Sequence, residues 1–186
     1  MGYTACMNIL TICGSIRPDS TTARALELAS NAAASAGAEV RTIELGALSL
    51  PFCDGRDDER TYAGDALTFM DAVEWADGLL IGSPNYHGSL TGVLKNALDL
   101  LGPDAIRDKL VGLLATARGE AGAMNTLNHT RHICRWMNGW VIPAEVSIPR
   151  AQDAFSDNGA VTIAGLEDDL RELGTELVRY AKLIRG

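Results

Sequence analysis

Met7-Asn8-Ile9-Leu10-Thr11-Ile12-Cys13-Gly14-Ser15-Ile16-Arg17-Pro18-Asp19-Ser20-Thr21-Thr22 runs from a short apolar, β-prone stretch into a polar turn and then into a helix start. Met7 to Cys13 ends at Gly14, and the Ala/Leu-rich pattern from Thr22 to Ala36 has helical spacing and is closed by Gly37. The segment reads as strand, loop, helix.

The same scheme recurs outward along the chain. Strands are expected at Glu39–Leu45, Gly78–Ser83, Leu110–Ala117 and Val141–Ile148, and helices at Asp65–Ala76, Leu90–Leu101, Ala123–Met137 and Gly165–Ile184. Strands that are apolar throughout, without period-two alternation, are buried on both faces, and helical crossovers between them imply a parallel sheet. The expectation is an α/β fold: a three-layer, doubly wound, five-stranded parallel sheet in the flavodoxin-like order 2-1-3-4-5. With 186 residues, no internal repeat and no interdomain linker, residues 1–186 are expected to form one domain, with Cys53 to Gly64 as a long loop.

Composition narrows the function classes. No apolar run is long enough to cross a bilayer, and the start lacks the basic, apolar and small-residue regions of a secretory signal. A Met1-Gly2 start followed by Cys6 does not match a myristoylation motif. A soluble, cytoplasmic protein is expected, with cysteines 6, 13, 53 and 134 reduced because they form neither a CxxC pair nor a framework. A formal charge of −8 repels polyanions, and no basic stripe offsets it, so nucleic acid and membrane partners are not expected. A small anionic ligand then needs a local positive pocket.

In a doubly wound sheet, ligands bind beyond the carboxyl ends of the strands, so the loops after strands one, three and four are expected to converge. The first places hydroxyls of Ser15, Ser20, Thr21 and Thr22 around the Arg17 guanidinium at a helix start. Helix amides, hydroxyls and a forked, permanently charged donor suit a terminal phosphate, while the loop is neither a Walker A loop nor a GxGxxG turn. The plainer alternative is that Ser20 or Asp19 caps the helix and Arg17 is solvated.

The loop after strand three reads Ser83-Pro84-Asn85-Tyr86-His87-Gly88-Ser89-Leu90-Thr91-Gly92-Val93-Leu94-Lys95-Asn96-Ala97-Leu98-Asp99. Its Pro-x-Tyr-x-Gly-Ser segment running into Leu-Lys-Asn-Ala-Leu-Asp, together with the earlier Gly-Ser-x-Arg-x-x-Ser loop, resembles the NAD(P)H-dependent FMN reductase family. The resemblance implies FMN, with its phosphate on Ser15, Arg17, Ser20, Thr21 and Thr22. It places the isoalloxazine edge against Pro84, Asn85, Tyr86 and His87, with Gly88 shaping the turn. The loop after strand four, Thr116-Ala117-Arg118-Gly119-Glu120-Ala121-Gly122, falls where relatives carry a Gly-rich turn against the flavin, which brings in Thr116, Arg118 and Gly119. Asn85, His87 and Arg118 depart from residues common in relatives, and the departure leaves substrate choice open.

The resemblance further implies NAD(P)H as co-substrate and a small-molecule acceptor: a flavin, quinone, azo or nitro compound, metal oxyanion or small metabolite. Two other readings use the same cofactor, an FMN-dependent dehydrogenase of a small metabolite and a flavodoxin-like electron carrier. Homodimers or homotetramers are usual among relatives, and Trp136 and Trp140 are candidates for such a contact, with packing in the core the plainer expectation for either one. No metal is expected, because His129 and His132 share a helix face while Cys134 falls off it. A Gly-x-Ser-x-Gly nucleophile elbow is absent, so no protein catalytic residue is assigned and the flavin carries the chemistry.

Overall fold

The computed structural model describes residues 7–185. Its central sheet contains β1 (Met7–Cys13), β2 (Ala38–Glu44), β3 (Gly78–Pro84), β4 (Leu110–Thr116) and β5 (Trp140–Ile148). The strands are all parallel and ordered β2-β1-β3-β4-β5. Five longer helices connect or follow them: α1 (Thr21–Ser35), α2 (Asp65–Trp75), α3 (Gly92–Asp99), α4 (Met124–Trp136) and α5 (Leu166–Arg185). This is the expected flavodoxin-like arrangement, with element ends within two residues of the sequence reading.

The three inner strands are apolar on both faces because helices cover both. Leu10, Ile12, Leu79, Ile81, Val111 and Leu113 pack with Phe69 and Val73 of α2, Leu94 of α3 and Leu127 of α4. The alternate residues Met7, Ile9, Leu80, Leu110 and Leu114 pack with Leu26 of α1 and Leu170, Leu173 and Leu177 of α5. At roughly 1.5–3 kcal/mol for each fully buried large aliphatic or aromatic side chain, these two layers are the main favourable term of folding.

The α1 and α5 helices approach until their backbones nearly touch. A Cβ at Gly174 of α5 would stand 2.0 Å from the Ala29 carbonyl oxygen and 3.0 Å from the Ala33 nitrogen. Alanines 25, 29, 32 and 33 form the matching flat face of α1.

The sheet edges differ from its centre. In β2, Glu39, Arg41, Thr42 and Glu44 are exposed. In β5, Val141 pairs with Val111 and Glu145 with Leu113, so Ile142, Pro143 and Ala144 stand opposite Gly112 alone. Pro143 lacks the N–H that a central strand requires, and an irregular edge tolerates it. The α3 helix starts at Gly92 because the Thr91 hydroxyl caps it, accepting from Leu94 N.

The Cys53 to Gly64 loop is tied down locally. Arg56 and the Tyr62 hydroxyl both donate to the Asp54 carboxylate, which they hold well below the usual carboxylate range. Cys13, Cys53 and Cys134 are free thiols, while Cys6 and the Met1-Gly2 start lie outside the described residues. Among the described residues, no helix is long and apolar enough to cross a membrane.

Candidate functional site

The loop after β1 begins with a close crossing. Gly14 N donates to the Gly82 carbonyl at 2.8 Å, and a Cβ on Gly14 would lie 3.0 Å from that oxygen and from Leu94 Cβ. Ser15 is buried, and its hydroxyl accepts from Arg17 N at 3.4 Å. Ser20 caps α1, accepting from Ala23 N at 3.1 Å, so the capping role is real; its hydroxyl hydrogen remains available to donate. The first turn of α1 carries no acidic residue, leaving its positive end uncompensated there.

The end of β4 is joined to this loop by a buried contact between Thr22 Oγ1 and Thr116 Oγ1 at 2.8 Å. Two hydroxyls sharing one hydrogen bond leave one hydrogen free to donate. Asn85 N donates to the Thr116 carbonyl at 2.7 Å, which extends the sheet-like pairing past β3.

Tyr86-His87-Gly88-Ser89 then forms a two-residue hairpin. Tyr86 N donates to Ser89 O at 2.9 Å and Ser89 N to Tyr86 O at 3.1 Å. His87 at φ 53° and Gly88 at φ 82° supply the two positive dihedrals of a type I′ turn, and His is among the non-glycine residues that tolerate the left-handed region. The hairpin aims Tyr86 along the cavity and leaves His87 exposed at the tip.

A fourth loop completes the site. Ala151 N donates to Ala117 O at 2.9 Å, and Arg150 N to Gly119 O at 3.3 Å, so the segment after β5 folds back beside the end of β4. A cavity of about 500 Å³ opens between these loops, within the range of small-molecule and cofactor sites.

Ser15, Arg17, Ser20, Thr21, Thr22, Pro84, Asn85, Tyr86, Thr116 and Arg118 all line that cavity, so the structure brings the three expected loops together. His87, Gly88 and Gly119 do not line it; they shape the turns behind it. Sequence reasoning missed Asp19, Arg24, Ala117, Ala151, Gln152, Phe155, Ser156 and Asp157 as lining residues. The available signal was topological: the loop after β5 also leaves the carboxyl edge, beside β4.

The electrostatics are specific. Among the described residues, Arg17, Arg24 and Arg118 form no ion pair, although all three line the cavity. Arg56, by contrast, is paired with Asp54, and Arg60 with Asp71 and Glu74. Asp19 and Asp157 also line the cavity, so its charge is mixed, with the cations in excess. Asn85 Nδ2 donates to Gly122 O at 3.4 Å, while the buried Asn85 Oδ1 has no partner and calls for a donor. Hydroxyls, free guanidiniums and an orphan carbonyl oxygen fit a phosphorylated ligand with an N–H-bearing ring.

His129, His132 and Cys134 are not brought together. His129 Nδ1 lies 2.9 Å from Ser89 Oγ, His132 Nε2 accepts from Trp136 Nε1 at 2.9 Å, and Cys134 is fully buried.

Comparison with known proteins gives the family and the fold. Residues 7–153 match the NADPH-dependent FMN reductase family. The chain is 31% identical over 154 residues to the NADPH-dependent FMN reductase ArsH of Acidithiobacillus ferrooxidans, covering 81% of this chain and 63% of that protein. It is 36% identical over 109 residues to an FMN-dependent NADPH-azoreductase of Staphylococcus haemolyticus, covering 59% and 56% respectively. These alignments span somewhat over half the length of either relative. An oxidoreductase structure from Corynebacterium diphtheriae superposes with a TM-score of 0.75 at 22% identity, covering 97% of this chain and 98% of that one, which shows a shared fold. The chain belongs to the NADPH-dependent FMN reductase family.

Proposed function

We propose that the chain is an FMN-dependent NAD(P)H oxidoreductase that reduces a second, small-molecule acceptor. The observation that carries this reading is the cluster of three unpaired guanidiniums beside a hydroxyl-lined helix start, in a chain whose net charge is −8.

Ser15, Arg17, Ser20, Thr21 and Thr22 would hold the FMN phosphate, with charge-assisted bonds from Arg17. Asn85 Oδ1 would accept from a ring N–H, which satisfies the orphan atom and fixes the ring's orientation. When bound, FMN supplies the hydride and electron transfer chemistry. Pro84 and Tyr86 would hold the ring from one wall of the cavity, and Phe155 from the loop after β5 would help exclude water from it. Arg118, which lines the same cavity and forms no ion pair, would take a phosphate of the dinucleotide. The guanidinium cradle favours a reductase over a one-electron carrier, whose phosphate loop has no need of a second and third cation.

The reading includes a cytoplasmic setting, in keeping with the free thiols, and a homodimer or homotetramer. Trp136 at 75% and Trp140 at 62% exposure offer apolar surface for such a contact.

Anaerobic mixing of FMN-loaded protein with NADH and with NADPH tests the reading. At least one nicotinamide should bleach the oxidised flavin absorbance within catalytic times, and a later acceptor should restore it. Failure of both, alongside fast reduction by a redox protein, would overturn the reading in favour of a carrier.

A further inference from the structure

The Tyr86–Ser89 hairpin puts Tyr86 on the wall of the candidate site, and its two internal backbone bonds fix its shape but not its place on the molecule. Its entry is anchored where Asn85 N donates to Thr116 O at 2.7 Å, and its exit where Thr91 N donates to Ser83 Oγ at 3.0 Å. Between those anchors, among the described residues, a single hydrogen bond joins residues 86–89 to another element: Ser89 Oγ lies 2.9 Å from Nδ1 of His129 on α4.

The α4 helix is a firm support for that bond. Ala123 N, just ahead of the helix, donates to Ser147 Oγ of β5 at 2.8 Å, and Leu127, Thr130 and Cys134 are buried on its inner side. A Cβ on Gly88 would stand 3.9 Å from Asn125 Nδ2, so the hairpin tip lies against the first turn of α4. His129 is itself exposed, and Ser89 is the only hydrogen-bond partner of its side chain among the described residues. The pairing holds in either ring tautomer, because the serine hydroxyl donates to a bare Nδ1 and accepts from a protonated one.

We propose that His129 is a positioning residue for the flavin ring: through Ser89 it holds the hairpin, and with it Tyr86, where the ring has to meet it. The proposal rests on the FMN reading of the site. A two-residue hairpin is weakly ordered by itself, and one already in place spares the ligand the cost of ordering it on binding. The hairpin belongs to the β3 loop and the phosphate cradle to the β1 loop, so His129 bears on the ring and not on the phosphate.

The test is fluorescence titration of the flavin-free full chain with FMN and with riboflavin, for wild type, His129→Leu, His129→Asn, Ser89→Ala and the Ser89→Ala, His129→Leu pair. His129→Leu should weaken both flavins by the same factor, about threefold to tenfold, as expected for one lost neutral hydrogen bond. His129→Asn, whose amide occupies the position of Nδ1, should bind both flavins as wild type does. The pair should be no weaker than either single variant, since the second change removes a bond already gone. Leucine is a better helix former than histidine and asparagine is not, so thermal unfolding of the flavin-free chains should place His129→Leu highest, the reverse of its place in flavin affinity. Unchanged affinity in His129→Leu, failure of His129→Asn to restore it, additive losses in the pair, a loss confined to FMN, or a loss that follows thermal stability would each overturn the proposal. If wild type bound neither flavin, the FMN reading itself would fall and the proposal with it; wild-type binding with indifferent variants would remove the proposal alone.

Discussion

Thr22 Oγ1 and Thr116 Oγ1 meet at 2.8 Å in a buried contact that ties the first turn of α1 to the carboxyl end of β4. Replacing either threonine with valine strands the other hydroxyl, at a cost of about 1–3 kcal/mol, while the double replacement should cost clearly less than the sum. Denaturant unfolding of the two single variants and the double one checks this. Strict additivity would mean that the two hydroxyls do not depend on each other.

Arg17→Ala should weaken FMN binding by about tenfold to more than a hundredfold, the equivalent of a lost charge-assisted bond of about 1.5–3 kcal/mol. Riboflavin, which lacks the phosphate, should bind wild type and variant alike. Fluorescence titration with both ligands reads the difference, and an unchanged FMN affinity would return Arg17 to the solvent.

Arg56 and Arg60 are committed to Asp54 and to Asp71 and Glu74, so Arg118 is the better partner for the extra phosphate of NADPH. In Arg118→Ala the apparent affinity for NADPH should fall by about tenfold or more while that for NADH changes little. Rapid-mixing measurements of flavin bleaching against nicotinamide concentration give both values. Equal losses for the two would assign Arg118 to the flavin itself.

The β1, β3 and β4 strands were legible because each is a largely apolar run, and the loops at 14–22 and 84–89 because their glycines, hydroxyls and arginine form local motifs. The contribution of Gln152, Phe155 and Ser156 was not legible. They enter the site through contacts such as Ala151 N to Ala117 O, which depend on the sheet order and leave no mark in their own segment. Nor does a sequence tell Arg118 from Arg60, since pairing across helices is decided by packing. His87 reads as a ring beside a ligand, yet its left-handed backbone places it at the exposed hairpin tip.

That backbone is testable. His87→Asn gives the Asn-Gly pair that type I′ turns favour and should leave stability equal or slightly higher, whereas His87→Val, β-branched at positive φ, should cost on the order of 1 kcal/mol or more. Thermal unfolding of the two variants decides it; equal losses would argue against the turn.

Burial pushes the Cys134 thiol up to about 12, from 9.0. Above pH 9 the unfolded chain gives up this proton first, so the unfolded state binds fewer protons and stability falls as pH rises towards 12. The slope from this one group approaches about 1.4 kcal/mol per pH unit. Comparing wild type with Cys134→Ala between pH 8 and 11 isolates it, because the cavity cost of the substitution is the same at every pH. Parallel curves would contradict the assignment.

The two rims of the sheet end differently, and both ends have the same consequence for how copies of the protein behave in a crowded solution. The β5 rim is broken by Ile142, Pro143 and Ala144 opposite Gly112, and the β2 rim is studded with Glu39, Arg41 and Glu44. A passing strand finds a missing donor and a lost register on one side and charges to desolvate on the other. Templated growth into fibrils is therefore blocked at both margins, and the protein can stay concentrated without its sheets stitching together.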